Sequence, residues 1–80
     1  MNKNLTPLGR LIESFKKREG VPYFLIAYNI NSDPVTLSKI IHGKKLFPVE
    51  LVWRIEEYCK FNQEEMRVVR AATRENKTEE

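Results

Sequence analysis

The sequence predicts an all-α protein, a single small domain of five short helices in which the second and third form a helix-turn-helix. Turn-forming residues divide the 80-residue chain into short segments. Within each segment, apolar residues recur every three or four positions, as they do on one face of a helix. No segment shows the turn-flanked alternation of apolar and polar residues that is typical of a strand. The length suits one domain and is too short for two.

The first helix is predicted to begin at Thr6 and Pro7, because threonine is a good N-cap and proline suits the first helical position. Three basic residues at 16–18 occupy its last turn, where the helix dipole favours cations. Gly20 supplies the left-handed residue that ends it. Its apolar face consists of Leu8, Leu11, Ile12 and Phe15.

The second helix is predicted over residues 23–30, a short and almost wholly apolar run that follows a break at proline 22. Asn31 can adopt the left-handed conformation that a tight exit from this helix requires. Asp33 and Pro34 repeat the combination of cap and proline, so the third helix should start there. Gly43 ends it.

The fourth helix is predicted to open at Pro48, and the fifth at Asn62, which forms a capping box with Glu65. The polar residues 73–80 show no apolar period and are expected to be a disordered tail behind a domain of residues 5–72. The apolar stripes are Val49, Val52, Ile55 and Cys59 on the fourth helix, and Met66, Val69 and Ala72 on the fifth.

Residues 23–43 have the features that a helix-turn-helix needs. Ala27 is small enough for a close crossing of the two helices, and Asn31 tolerates the positive φ of the turn. Any helical hairpin buries apolar residues around a turn, so the prediction depends on the combined offsets and on the flanking helices. The inward-facing residues are Ile26, Ile30, Leu37 and Ile40.

The sequence resembles the lambda-repressor-like, Cro-type helix-turn-helix domains, also called the XRE family, from about Leu8 to Phe61 and more loosely to Ala72. It departs from the family pattern at three positions: Asn31 and Lys60 stand where glycine is usual, and Pro22 where a polar cap is usual. The resemblance implies a five-helix bundle. The matching pieces are Leu8 to Ile12, Ile26 and Ala27, Asn31, Thr36 to Ile40, Gly43 to Lys45, and Glu50 to Ile55.

The resemblance also implies that the third helix lies in the major groove of double-stranded DNA, with its first residues at base edges. Lys39 can donate to guanine O6 or N7, and Val35 and the methyl group of Thr36 can contact a thymine methyl. Because this helix lacks Arg, Asn and Gln, part of the specificity is expected from DNA shape or dimer spacing. Solvent-facing helix surface is the alternative reading. The base-reading positions are Pro34, Val35, Thr36 and Lys39.

Contacts to the DNA backbone are expected from Lys44 and Lys45, which follow the third helix directly. Ser38 can bond a phosphate or a base, and Tyr23 stands where the family usually places a phosphate-contacting side chain. Residues 1–49 hold eight Lys or Arg against three Asp or Glu, a charge of +5, whereas the remaining residues hold six against eight, a charge of −2. A basic half of this kind indicates a polyanionic partner, although solvated basic faces also occur.

Apolar residues outside the predicted inward face indicate a protein interface. On the second helix these are Phe24, Leu25 and Tyr28, and Ile41 is a further case on the third. Either another part of the chain covers them, or they form an exposed patch that binds a protein. We also expect a homodimer, because a module of this size buries little DNA and pairs on two half-sites. Candidate contacts in the C-terminal half, with core packing as the alternative, are Trp53, Tyr58, Met66 and Val69.

No constellation of residues points to catalysis, a metal or a cofactor. Ser38 and His42 stand one turn apart, but no acid is placed to orient the histidine. One histidine and one cysteine cannot form a zinc site. No apolar run approaches the length of a membrane span. The single Cys59 and the lack of an apolar signal segment near the start lead us to expect the cytoplasm.

The sequence therefore predicts a sequence-specific DNA-binding transcriptional regulator, most simply a repressor that occupies an operator as a homodimer. The alternative is a protein-interaction module of the anti-repressor or antitoxin kind that uses the apolar second helix. A steep loss of affinity with rising salt would favour the DNA binder, because phosphate contacts release counterions.

Overall fold

The computed structural model describes residues 5–78, and within that range it contains five α-helices and no strand, so the all-helical prediction is confirmed. A 3-10 turn at Val49–Leu51 leads into the fourth helix. The α-helices are α1 (Pro7–Glu19), α2 (Tyr23–Asn29), α3 (Pro34–Ile41), α4 (Val52–Cys59) and α5 (Gln63–Ala72).

Side-chain caps fix the starts of three helices, as the sequence predicts. The Thr6 hydroxyl accepts a hydrogen bond from the Gly9 amide at 2.9 Å, and the Asp33 carboxylate accepts one from the Thr36 amide at 2.7 Å. Asn62 opens α5 with both bonds of a capping box. Each cap satisfies amides that a helix start leaves without an intrahelical partner.

The left-handed residues also lie where the sequence places helix ends. Gly20 ends α1 with a φ of 67°, and Asn31 follows α2 with a φ of 64°. Lys60 ends α4 with a φ of 58°, although it carries a Cβ. Two of these three helices therefore end at a left-handed residue that is not glycine, Asn31 or Lys60, which costs some backbone strain.

The predicted helical hairpin forms around a fully buried crossing. Ala27 on α2 has no exposed surface, which allows α3 to approach closely. The Ser32 amide donates to the Ala27 carbonyl at 2.8 Å and closes the turn between the two helices. The four predicted inward residues of this hairpin, all without exposed surface, are Ile26, Ile30, Leu37 and Ile40.

The start of α1 is tied to the end of α3 by backbone and side-chain contacts. The Thr6 amide donates to the Ile41 carbonyl at 2.9 Å, and the Thr6 hydroxyl donates to the same oxygen at 3.1 Å. Gly9 lies against this point, where a Cβ would meet the Ile41 carbonyl oxygen at 2.7 Å. Only glycine lets the two backbones come this close.

The inward face of α4 differs from the prediction at Val49, whose side chain is 70% exposed. The chain after Pro48 forms a 3-10 turn before α4 begins, which rotates Val49 out of the helical stripe. Leu51 takes the buried position instead, together with Ile55 and Cys59.

The polar segment after α5 also differs from the prediction of a disordered tail. Residues 73–78 fold back onto the end of α3 and the loop behind it, and Asn76 is only 5% exposed. Two hydrogen bonds from its Nδ2 to backbone carbonyls offset the burial of this polar side chain, whose Oδ1 is buried with no partner among residues 5–78. These bonds leave no apolar pattern in the sequence. Residues 79 and 80 lie outside the described range.

We predict that Gly9→Ala lowers the free energy of unfolding by about 1–3 kcal/mol, because the new methyl group forces α1 away from the Ile41 carbonyl. Alanine normally stabilises a helix interior relative to glycine, so the sign of the effect is diagnostic. Urea unfolding measures it, with Ser14→Ala on the exposed side of α1 as the control. A Gly9→Ala variant as stable as the wild type would refute the close contact.

Candidate nucleic-acid interface

An open groove of about 930 Å³ runs along the exposed face of α3. It brings together three of the four predicted base-reading residues and two of the four predicted backbone-contacting residues. Thr36 is half-buried and does not line it, and Lys45 and Tyr23 lie outside it as well. The lining residues are Pro34, Val35, Ser38, Lys39, His42, Lys44 and Thr78.

The N-terminal turn of α3 determines which side chains reach this groove. Asp33 accepts the Thr36 amide, and this hydrogen bond lowers the pKa of the Asp33 carboxyl below its usual value. Pro34 and Val35, which follow the cap, are both exposed. Lys39 stands one turn further along the same face, so the exposed stripe begins apolar and becomes basic.

Lys44 and Lys45 lie on a short loop that the fold braces. The Lys44 amide donates to the Lys39 carbonyl at 2.8 Å, and Gly43 allows the reversal with a φ of 77°. Phe47 anchors the far end of the loop, because its side chain is buried and its amide donates to the Ala72 carbonyl at 3.0 Å. Both lysine side chains remain exposed.

Within residues 5–78 the lysines on this face are not held in salt bridges, although Lys39 lies near enough to Asp33 to help lower the pKa of that carboxyl. Lys39, Lys44 and Lys45 form no ion pair with any described residue. In contrast, Lys17 pairs with Glu13 at 3.8 Å, and Lys77 pairs with Glu75 at 3.2 Å. Unpaired lysines around one groove give an electropositive surface that suits a polyanion.

The Tyr23 hydroxyl is less available for a phosphate contact than the sequence suggests. Its hydroxyl donates to the Glu13 carboxylate, and the Lys16 ammonium lies 5.3 Å from its ring centre. Burial and the hydrogen bond to Glu13 raise the pKa of Tyr23 well above its usual value. A phosphate contact through this hydroxyl therefore requires that the bond to Glu13 be given up.

His42 is a groove residue that the sequence analysis considered only as a catalytic partner of Ser38. Its Nδ1 lies 2.9 Å from the backbone carbonyl oxygen of Ser38, so Nδ1 carries the proton and Nε2 is left to face solvent. The bond goes to the backbone and does not activate the serine hydroxyl. The spacing of Pro34, Ser38 and His42 at four-residue intervals is the signal that could have placed His42 on this face.

The predicted protein-interface residues separate into two groups. Met66 and Val69 face the core and are buried, so their prediction as surface contacts is wrong. Ile41 is likewise buried, against the start of α1. Phe24 is 62% exposed and Tyr28 is 77% exposed, and they stand four residues apart on α2.

The three remaining candidates are partly accessible, and one of them, Tyr58, is half-buried with its ring centre 5.3 Å from that of Phe15. Leu25 is half-buried beside the exposed aromatic pair on α2. Trp53 is exposed on α4, with the Arg54 guanidinium 4.6 Å from its ring centre. Trp53 shares a surface depression with Asn29, so it borders the C-terminal end of α2.

The remaining candidate reactive groups of the described chain are its metal-ligating side chains and its cysteine. No group of three His, Cys, Asp or Glu side chains within 5–78 is placed to hold a metal ion. Cys59 is buried, and burial raises the pKa of its thiol to about 12, which leaves almost no reactive thiolate at neutral pH. No helix in the same part of the chain is long and apolar enough to cross a membrane.

Comparisons of this chain with protein-family models, with curated proteins and with solved structures found no match.

We predict that the cap at Asp33 makes stability depend on pH. Its pKa is lower in the folded chain than in the unfolded chain, so its contribution is present above the unfolded value and is lost as the pH falls through the folded value. Asp33→Asn keeps a capping oxygen that does not titrate. Urea unfolding should show a larger stability advantage of wild type over Asp33→Asn at pH 7 than at pH 2. An advantage that does not change with pH would contradict this assignment.

Proposed function

We propose that this protein binds double-stranded DNA through α3 and the loop behind it, and acts as a sequence-specific transcriptional regulator. The observation that carries the proposal is the groove that joins the exposed start of α3 to Lys39 and Lys44, which form no salt bridge within residues 5–78. The resemblance to Cro-type domains supports the same assignment of α3.

The dimensions of α3 suit the major groove. An α-helix with its side chains is about 10–12 Å in diameter, and the major groove is about 12 Å wide, so α3 can enter the groove. Val35 supplies a methyl surface for thymine, and Lys39 supplies a donor for guanine O6 or N7. Lys44 and Lys45 lie beside this stripe, where a groove-bound helix meets the phosphates.

The few base-reading groups indicate that one copy reads a short site. Neither α3 nor the loop behind it carries Arg, Asn or Gln, the residues that most often make paired hydrogen bonds to a base. A homodimer on two half-sites would supply the missing specificity through its spacing. We infer repression as the regulatory outcome, because occupation of an operator is enough to block polymerase.

We predict that Lys39→Ala and Lys44→Ala weaken DNA binding in different ways. Selection of bound sequences from a random duplex pool should show that Lys39→Ala relaxes the preference at one position, at a cost of about 1–3 kcal/mol. Lys44→Ala should keep the preferred sequence and reduce the log–log salt slope by about 0.9.

Lys17→Ala is the matched control, because Lys17 is a lysine on α1 that pairs with Glu13. It should leave both the preference and the slope close to those of wild type. Wild-type protein that binds no duplex in dilute buffer, or binds with no dependence on salt, would overturn the proposal.

A second candidate function is a protein-interaction module that uses α2. The exposed pair Phe24 and Tyr28 favours it, because small soluble domains rarely leave adjacent large aromatic residues open to water. In addition, α2 contains no charged residue. This candidate is compatible with DNA binding, since the aromatic pair lies outside the basic groove.

We predict that α2 mediates the association of two copies of the chain, and that the double variant Phe24→Ser/Tyr28→Ser abolishes this association. Light scattering coupled to gel filtration should show dimeric wild type and a monomeric variant, with unchanged thermal stability. Val49→Ser, at an equally exposed apolar position on the 3-10 turn, serves as the control. Identical masses for wild type and the double variant would show that Phe24 and Tyr28 do not mediate self-association.

A further inference from the structure

We infer that the C-terminal strap, residues 73–78, belongs to the DNA-binding unit and that Asn76 is the residue that positions Lys44 and Lys45. The inference deepens the proposed function and rests on it. It assigns a role to a polar segment that carries no recognisable motif, and it concerns how the two loop lysines are held before DNA arrives.

Asn76 joins two parts of the chain that carry the proposed contacts. Its Nδ2 donates to the Ile40 carbonyl at 2.7 Å, in the last turn of α3, and to the Lys45 carbonyl at 3.0 Å, in the loop. Both partners are acceptors, so the orientation of the amide is determined by the hydrogen bonds. One buried side chain thereby fixes the distance between the end of α3 and the second lysine of the loop.

The strap also packs directly against the turn between these two points. A Cβ on Gly43 would lie 2.9 Å from the Asn76 carbonyl oxygen, which shows how closely the strap backbone lies on the turn. Two residues further on, Thr78 lines the groove with Lys39 and Lys44. The strap therefore supports the loop from behind and ends at the edge of the proposed interface.

Without Asn76, the loop that carries Lys44 and Lys45 would be attached to the rest of the fold only at its two ends. At one end the Lys44 amide donates to the Lys39 carbonyl, and at the other the Phe47 amide donates to the Ala72 carbonyl. Between them, the Lys45 carbonyl accepts its hydrogen bond from the Asn76 side chain. Adjacent ammonium groups repel each other, and long side chains lose entropy when a phosphate orders them. A braced backbone reduces the ordering that binding must impose, which favours tighter association.

The test is a double-mutant cycle on the full chain, read out as DNA affinity in low salt. Asn76→Ala should weaken binding on the order of tenfold and lower the salt slope, because the loop lysines are no longer held in place. In the Lys44→Ala/Lys45→Ala background, the same substitution should change affinity less than twofold. Thr73→Ala is the control within the strap, since its hydroxyl bonds only the Arg70 carbonyl.

An equal loss in both backgrounds would show that Asn76 does not act through the lysines, and would overturn the inference. Amide hydrogen exchange of the free protein supplies a readout that needs no DNA. Asn76→Ala should speed exchange at Lys44 while Ile12 in α1 keeps its protection. NMR order parameters at Lys44 and Lys45 in wild type should match those of α3, and values below about 0.6 would also refute the positioning role.

Wild-type protein that binds no DNA while these amide measurements come out as expected would remove the proposed function and leave the brace itself intact. The two failures are therefore distinguishable.

Discussion

The carbonyl groups at the end of α3 impose the constraint on which the rest of the structure depends. A helix end leaves its last carbonyls without intrahelical partners, and Ile40 and Ile41 are buried, so their carbonyls need donors. The turn itself supplies one, because the Gly43 amide donates to the Ile40 carbonyl at 3.1 Å. Thr6 supplies an amide and a hydroxyl from one end of the described chain, and Asn76 supplies a side-chain amide from the other. The end of α3 is therefore bonded to both ends of the described chain, and the Ile41 carbonyl takes its donors from Thr6.

This arrangement explains why one face of α3 is free to meet a ligand. Its inner side is fully occupied by the crossing with α2 and by the close approach of Gly9. The outer side carries short apolar groups first and lysine afterwards, and no salt bridge among residues 5–78 involves these lysines. Exposure and positive charge thus coincide on a rigid element, which is what recognition of a polyanionic groove requires.

The sequence predicts those features of the fold that local chemistry determines. Caps at Thr6, Asp33 and Asn62 and the left-handed Asn31 follow from residue type at a single site, and all are confirmed. The burial of Asn76 could not be predicted, because its partners are carbonyls more than 30 residues away.

The residues of the candidate site also divide into those that the sequence can place and those that depend on tertiary packing. Helical periodicity is enough to place Lys39 and Val35 on one exposed face. It does not reveal that Tyr23 is bound to Glu13, since that contact depends on how α1 and α2 pack. The cap adds a constraint that local residue type does predict, because Asp33 accepts the Thr36 amide and thereby places a carboxylate at the start of the exposed face of α3. Under the proposed function, this carboxylate stands at the end of α3 that would face the bases, so direct readout is limited and the pairing of two copies at a defined spacing would supply the specificity.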